Sequence, residues 1–194
     1  IAGFFFLYQQ GADKEVASVE VDEDETAVTR NATVAKLKRK GDRYVSFRYQ
    51  PHSIPMAVTY EFNEASQYFE IVDEISWENL QVAGLHPDVT YRVYMNRILV
   101  GQYKGSELAQ GVNLTNLDWN PGQEAAKQME TLNQSWHTNS SDYRAVVRQA
   151  MKGKATQADV DAAYGTWSGT TAALIGQMYD IAGKSVEHAR VVEI

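Results

Sequence analysis

The chain has 194 residues, of which 44% are hydrophobic, so it can bury one core of ordinary size or two small ones. Its net charge of −7 repels a polyanion such as nucleic acid at long range. The absence of cysteine excludes disulfides, thiol nucleophiles and thiolate metal sites.

An apolar run at the beginning of the sequence, Ile1–Tyr8, predicts the end of a buried helix that stops at Gly11. The run is too short to cross a bilayer, and it lacks the flanks of a signal peptide. A helix that is apolar on nearly all sides needs a covering partner. We therefore assign residues 1–13 to the end of a larger upstream domain and expect that domain, or a second chain, to pack on Ile1–Tyr8.

Residues 14–118 alternate between apolar and polar side chains and predict a mainly β region. Glu15–Asp22 is the first predicted strand, and its inward residues are Ala17, Val19 and Val21. The runs Ala32–Leu37 and Arg43–Tyr49 predict a hairpin around Lys40–Asp42. The inward residues of the second strand of this hairpin are Val45, Phe47 and Tyr49.

Two charge runs interrupt this region. Asp22–Glu25 carries four carboxylates, but it lacks the alternating ligands and central glycine of a calcium loop, so a solvated turn is favoured. Lys36–Lys40 is a basic cluster, and a solvated hairpin tip is favoured over a nucleic-acid site.

The stretch Asn79–Leu117 combines strand periodicity with turn residues. Leu80 and Val82 alternate up to Gly84, and Asn96-Arg97 joins two further strands in a hairpin. On the first of these strands Tyr91, Val93 and Met95 share one face, which we expect to be buried, with Arg92 and Tyr94 opposite. Ser106-Glu107 opens a short helix that Gly111 ends.

This stretch resembles a region downstream of the catalytic core in bacterial SGNH/GDSL-type ester hydrolases. The matching residues are Leu80, Val82, Gly84-Leu85, Tyr91, Val93, Val100-Gly101, Tyr103, Glu107-Leu108-Ala109 and Gly111-Val112-Asn113-Leu114. The strand Glu15–Asp22 resembles the strand that follows the catalytic histidine in that family. The resemblance implies a missing flavodoxin-like α/β/α core upstream, which carries the Ser, Asp and His that hydrolyse acyl or acetyl esters of lipids or sugars.

Residues 119–194 change to a period of about 3.6 and predict a helical region. Pro121 begins a helix that we expect to end in the polar run His137–Ser141, and a second segment stops at Gly153. A near capping box, Thr156–Asp159, opens the last helix.

The apolar stripe of this last helix comprises Val160, Ala163, Tyr164, Trp167, Thr171, Leu174, Ile175, Met178, Ile181 and Ala182. Such stripes demand partners, so we predict an antiparallel pair of long helices. Its glycines, Gly165, Gly169, Gly176 and Gly183, indicate close approach to a neighbouring backbone. The predicted fold class is therefore α+β, with a sandwich-like antiparallel sheet region followed by long antiparallel helices.

No catalytic motif is present in the sequence. Gly41-Asp42 is followed by Arg43 rather than serine, and neither a Gly-x-Ser-x-Gly nor an Asp-x-x-His motif occurs. The four histidines, His52, His86, His137 and His188, are scattered, so we predict no catalytic residue, no metal site and no cofactor. His86 is the alternative that the sequence leaves open, because it lies in the turn of the matched stretch. The aromatic residues Trp77, Tyr91, Tyr94, Tyr103 and Trp119 form either the sheet core, which is favoured, or a face for carbohydrate stacking.

Four Asn-x-Ser/Thr sequons mark possible glycosylation sites at Asn31, Asn113, Asn133 and Asn139. They favour a secreted, extracellular or periplasmic protein, and the matched position of Asn113 indicates a structural hydrogen-bonding role instead.

Two functions from different classes remain open. The chain is either the non-catalytic C-terminal part of a secreted SGNH/GDSL-type hydrolase, or a structural, self-assembling extracellular module without activity. In the second case the helical pair and an open sheet edge supply the contacts of a homo-oligomer.

Overall fold

A computed structural model describes residues 15–55, 57, 76–116, 121–183 and 187–194. The chain is α+β, as predicted, because strands dominate its first part and two long helices follow. It divides into two compact units, of which the first comprises Ile1–Ala126 with Ser185–Ile194 and the second comprises Lys127–Lys184. The predicted helix Ile1–Tyr8 lies outside the described residues.

The strands are β1 (Glu15–Val21), β2 (Ala27–Arg30), β3 (Ala32–Lys40), β4 (Tyr44–Pro51), β5 (Trp77–Val82), β6 (Thr90–Met95), β7 (Ile98–Lys104), β8 (Val112–Asn113) and β9 (Glu187–Glu193). The helices are α1 (Gly105–Gln110), α2 (Pro121–Met151) and α3 (Gln157–Gly183), and a 3-10 helix spans Leu114–Asn116.

Two sheets form the first unit. Sheet A has the strand order β2-β1-β5-β8, and sheet B has the order β3-β4-β9-β6-β7. β1 and β5 are parallel, whereas every other pairing described is antiparallel. The inward side chains of both sheets belong to one buried cluster, so the two sheets form a β-sandwich.

The period of two correctly predicts which residues form this core. Val19 on β1, Val45 on β4 and Leu80 on β5 are each no more than 2% exposed. In the β6–β7 hairpin Tyr91, Val93 and Met95 are buried while Arg92 is exposed, as expected. Asn96 and Arg97 have φ angles of 48° and 70°, the left-handed pair that a tight two-residue hairpin turn requires.

The basic cluster Lys36–Lys40 is part of β3, an edge strand of sheet B, rather than only a hairpin tip. Lys36, Lys38 and Lys40 are exposed, and the pairing with β4 is irregular between Ala35 and Lys38. Lysines and a bulge on an edge strand discourage pairing with another chain. The charge of this cluster therefore has a structural use.

Arg39, the one arginine of the cluster, connects the two sheets. Its Nη1 donates to the Asp22 carbonyl oxygen at 3.1 Å, and its Nη2 donates to the Ala83 carbonyl oxygen at 2.8 Å. These carbonyls follow the ends of β1 and β5 in sheet A, whereas Arg39 lies on β3 in sheet B. Its Nε also donates to the Gly41 carbonyl oxygen at 2.9 Å, so one planar guanidinium satisfies three backbone acceptors.

The second unit is an antiparallel helical hairpin of α2 and α3. The Asn139 amide nitrogen on α2 donates to the Trp167 carbonyl oxygen at 3.0 Å and to the Thr171 hydroxyl at 3.2 Å on α3. The Trp167 indole in turn donates to the Ser140 hydroxyl at 3.1 Å. The Tyr143 and Trp167 rings stack with centroids 5.4 Å apart. These contacts fix the register of the two helices.

Capping residues delimit the hairpin as the sequence predicts. α2 begins at Pro121, and Gly153 adopts a φ of 68° just after its end. The Thr156 hydroxyl accepts a hydrogen bond from the Asp159 backbone at 3.2 Å, and the Asp159 carboxylate accepts one from the Thr156 backbone at 2.7 Å. This reciprocal pair is a capping box with aspartate in place of glutamate.

Two details of the helical prediction were wrong. The polar run His137–Ser141 does not end a helix, because it lies in the interior of α2, which is 31 residues long. Asn139 and Ser140 of this run form hydrogen bonds with α3. Ile175 and Ala182 of the predicted stripe are exposed, whereas Tyr164, although 52% exposed, contacts the Tyr143 ring of α2 with centroids 6.0 Å apart. The glycines of α3 have open space where a Cβ would lie instead of a neighbouring backbone.

The C-terminal strand β9 differs from the helical assignment of residues 119–194. β9 pairs with β4 on one side and with β6 on the other, in the middle of sheet B. Ala189 and Val191 are buried in the sandwich core. The helical hairpin is therefore an insertion, in sequence, between strands of one β-sandwich.

Candidate functional site

The four histidines lie on different elements. His52 follows β4, His86 lies between β5 and β6, His137 is in α2 and His188 is in β9, and all four are exposed. His86 uses its backbone N–H to donate to the Tyr91 hydroxyl at 3.0 Å. The described geometry gives the His86 ring no catalytic partner.

One imidazole–hydroxyl contact occurs at an open cleft. The His52 Nε2 lies 2.7 Å from the Thr33 hydroxyl. Thr33 lines a cleft of about 440 Å³ between the edge strands β2 and β3, together with Thr29 and Lys36. Nucleophilic catalysis also needs a group that orients the histidine and donors for an oxyanion. Within the described residues this pair has neither, so it is a cross-strand contact rather than a catalytic dyad.

The most perturbed titratable group is buried in the sandwich. The Glu78 side chain on β5 is 2% exposed, and its Oε1 accepts a hydrogen bond from the Tyr49 hydroxyl of β4 at 2.9 Å. The other oxygen, Oε2, is buried without a hydrogen-bond partner. Burial raises the pKa of Glu78 from 4.5 to about 7, and the Tyr49 hydrogen bond opposes this rise.

Asn113 on β8 organises the backbone around Glu78. Its side-chain oxygen accepts from the Glu78 backbone N–H at 3.1 Å and from the Thr115 N–H at 3.0 Å, and its amide nitrogen donates to the Ser76 carbonyl oxygen at 3.5 Å. Asn113 therefore has the structural hydrogen-bonding role expected from its position in the matched stretch.

The sequence reading missed Glu78, although the signal was present. The same period of two that turns Leu80 and Val82 inward puts Glu78 on their face of β5. A carboxyl at a core position of a strand is unusual enough to single out. Because Glu78 is closed off from solvent, it cannot protonate an external substrate without a local opening of the sandwich.

The aromatic residues do not form an open stacking face among the described positions. Tyr91 is 1% exposed and belongs to the core. Tyr94 is half-buried with the Arg190 guanidinium 5.1 Å above its ring, and Tyr103 is half-buried. Trp119 lies outside the described residues.

The sequon asparagines have different environments. The amide nitrogen of Asn31 donates to the Val16 carbonyl oxygen and to the Ser53 hydroxyl, both at 2.7 Å. The amides of Asn113 and Asn139 are engaged as described above, whereas Asn133 is exposed on α2. Glycosylation at these sites remains a prediction, with Asn133 the most accessible acceptor.

In the described part of the chain, no group of three or more His, Asp or Glu side chains is placed to hold a metal ion. None of the described helices is both long enough and apolar enough to cross a membrane.

The sequence matches no protein-family model, and it matches no curated protein. Among solved structures the fold is similar to that of a gut microbial diltiazem-metabolizing enzyme, with a TM-score of 0.70 and 19% sequence identity. The similarity covers 100% of this chain and 53% of the enzyme, so the chain spans about half of that enzyme's length. At this identity the similarity establishes a shared fold and nothing about activity.

Proposed function

We propose that this chain is the non-catalytic C-terminal part of a longer, secreted SGNH/GDSL-type hydrolase that acts on acyl or acetyl esters of lipids or carbohydrates. The observation that carries the proposal is the resemblance of Asn79–Leu117 to that family. Two structural features agree with it. The described part of the matched stretch contributes strands to both sheets of the sandwich, and Asn113 within it ties β5, β8 and the 3-10 helix together.

The non-catalytic assignment is supported by the chemistry of the described residues. The one imidazole–hydroxyl contact, Thr33–His52, lacks an orienting acid, and Glu78 is buried without a histidine partner. The catalytic residues would then lie in another part of the longer protein. The solved enzyme of similar fold is compatible with this arrangement, because about half of its length lies outside the similarity.

The test compares the 194-residue chain with a longer protein that contains the upstream sequence, using an acetyl ester and diltiazem as substrates. We expect turnover only by the longer protein, and we expect its His52→Ala variant to keep full activity. Turnover by the 194-residue chain, abolished by His52→Ala, would place the active site at Thr33–His52. An inactive longer protein that carries the expected Ser and His would contradict the hydrolase assignment.

The second candidate is a self-assembling structural module. The specific observation in its favour is α3, which has no charged residue from Ala162 to Tyr179 and exposes Tyr164 and Tyr179 to 52% and 75%. Sedimentation of the 194-residue chain tests this candidate. A concentration-dependent dimer that Tyr179→Lys dissociates would support it, and a monomer at all concentrations would contradict it.

A further inference from the structure

Glu78 connects the two sheets at one end of the sandwich. It lies on β5 of sheet A, and Tyr49 lies on β4 of sheet B, so their 2.9 Å hydrogen bond crosses the core. Each residue is no more than 2% exposed. The contact therefore joins the sheets inside the protein, where water does not compete for the hydrogen bond.

Among the described residues, the neighbours of the carboxyl named below provide no compensating charge. In the register of sheet A, Ala17 of β1 is the partner of Glu78, and the inward neighbours of Glu78 on β5 itself are Leu80 and Val82. On the other side, Leu114 begins the 3-10 helix and is 2% exposed. Across the core, Tyr49 is a titratable group of the described sheets that faces Glu78. None of these side chains carries a positive charge.

The surroundings also hold no described partner for the second carboxyl oxygen. Oε2 is buried and makes no hydrogen bond. A cavity of about 10 Å³ lies beside Tyr49, and apart from Tyr49 and Asn79 its lining consists of apolar side chains such as Val19, Phe47 and Leu80. Glu78 does not line this cavity, so the cavity does not place a water molecule on the carboxylate.

From this geometry we propose that Glu78 is a pH-sensitive latch between the two sheets. In its neutral form the carboxyl is tolerated in the core and keeps β4 and β5 joined through Tyr49. In its ionised form Oε2 needs water, so the sandwich must open locally at this end to hydrate it. The latch is independent of the proposed ester hydrolysis.

The sign of the effect follows from linkage. The pKa of Glu78 is 4.5 when the chain is unfolded and about 7 when it is folded. The part of the folding stability that depends on the neutral Glu78 carboxyl is therefore fully present below pH 4.5 and is lost as the pH rises through 7. Between pH 5 and pH 8 we expect the unfolding equilibrium constant to increase on the order of a hundredfold because of this one group.

The experiment measures urea unfolding of the 194-residue chain between pH 5 and pH 8.5. Glu78→Gln should remove this hundredfold change, because the amide keeps the shape of the carboxyl and does not titrate. Glu23→Gln, an exposed carboxylate in the turn after β1, should keep the wild-type pH dependence. Equal pH dependence in Glu78→Gln and the wild type would overturn the proposal.

Two further measurements keep the test decisive if Glu78→Gln fails to fold. Carbon-13 NMR of the wild-type Glu78 carboxyl should give a midpoint near 7, and a midpoint near 4.5 would contradict the latch. Tyr49→Phe should move the midpoint higher, because the lost hydrogen bond favours the ionised form.

Amide exchange corrected for intrinsic rates should quicken above pH 7 in β4 and β5 before it does in β6 and β7. Uniform exchange would exclude local opening.

Discussion

At the scale of single residues, Arg39 has the clearest energetic role. Lysine in its place keeps the charge but offers a compact ammonium that cannot reach the carbonyls of Asp22, Gly41 and Ala83 together. We expect Arg39→Lys to lower the free energy of unfolding by about 1–2 kcal/mol, the range for lost hydrogen bonds to a charged group that is partly exposed. The neighbouring Lys38→Ala is the matched control and should change it by less than about 0.5 kcal/mol. Equal effects in urea unfolding would remove Arg39 as a connection between the sheets.

Gly105 and Gly165 form a pair with opposite expectations. A Cβ on Gly105, the first residue of α1, would collide with the His86 carbonyl oxygen of the backbone, which cannot move aside cheaply. Gly165 lies in the interior of α3 with nothing within 4 Å of such a Cβ. We expect Gly105→Ala to destabilise by about 1–3 kcal/mol and Gly165→Ala to stabilise by up to about 1 kcal/mol through helix propensity. The melting temperatures of the two variants should shift in opposite directions. If both melting temperatures fall, a neighbouring group occupies the space beside Gly165.

At the scale of elements, the seam of the helical hairpin distinguishes two adjacent residues. Leu174 is half-buried between the helices, whereas Ile175 is 42% exposed. The sequence predicts a cost of about 2–5 kcal/mol for alanine at either position, the usual range for packed side chains. Because Ile175 is exposed, we expect a large loss of stability only for Leu174→Ala. The half-burial of Leu174 reduces the expected loss in the free energy of unfolding to about 1–3 kcal/mol. For Ile175→Ala we expect less than about 0.5 kcal/mol. The helical circular dichroism signal during urea unfolding measures both, and an equal loss would mean that α3 buries another face.

The features of the helices and strands that the sequence predicts correctly are those that depend on neighbouring residues. The turn at Asn96-Arg97, the glycine ends at Gly111 and Gly153, and the Thr156–Asp159 capping box each depend on a few adjacent residues, and all appear as expected. The continuity of α2 through Asn139 depends on α3, more than twenty residues away in the chain. The place of β9 depends on β4 and β6. Interactions at such separation leave no signature in a short window, so the sequence alone did not reveal them.

The candidate site shows the same division. The sequence correctly places Tyr49 inward on its strand, but the partner of Tyr49 follows from how the two sheets face each other. Glu78 lies just before the stretch in which the alternation of apolar residues is recognised. Because its side chain is polar, this alternation alone does not assign it to the core. Periodicity predicts which face a residue occupies, whereas only the packed sheets show what it meets there.

At the scale of the whole molecule, the helical hairpin and the C-terminal strand should differ in how well the sandwich tolerates their loss. The contacts of Asn139 and Ser140 with Thr171 and Trp167 show that the first turn of α2 and the last turn of α3 lie at the same end of the hairpin. A flexible linker of about eight glycine and serine residues can therefore replace residues 127–184. We expect the shortened chain to fold with its β-sheet signal and a cooperative melt retained.

The converse deletion removes far fewer residues with a larger effect. Ending the chain at Gly183 removes β9 and separates β4 from β6, which leaves Val45 and Val93 without the buried Val191 beside them. We expect this chain to lose the cooperative transition, as measured by calorimetry and by dispersion of the amide NMR spectrum. If the chain lacking β9 folds and the chain lacking the hairpin does not, the hairpin rather than β9 completes the sandwich.

The central position of β9 also has a consequence for the order of events during synthesis. Its partner β4 is made early, and the long helical insertion separates β9 from the other strands in the sequence. Sheet B therefore stays divided while the ribosome makes the helices, and strand edges of β4 and β6 that are later covered face solvent or a chaperone in the meantime. Contacts between such distant positions close slowly because the intervening chain must lose entropy first. The contacts between α2 and α3 close a much shorter segment of chain than the pairing of β9 with β4, so we expect the α2–α3 hairpin to form ahead of the sheet that it interrupts.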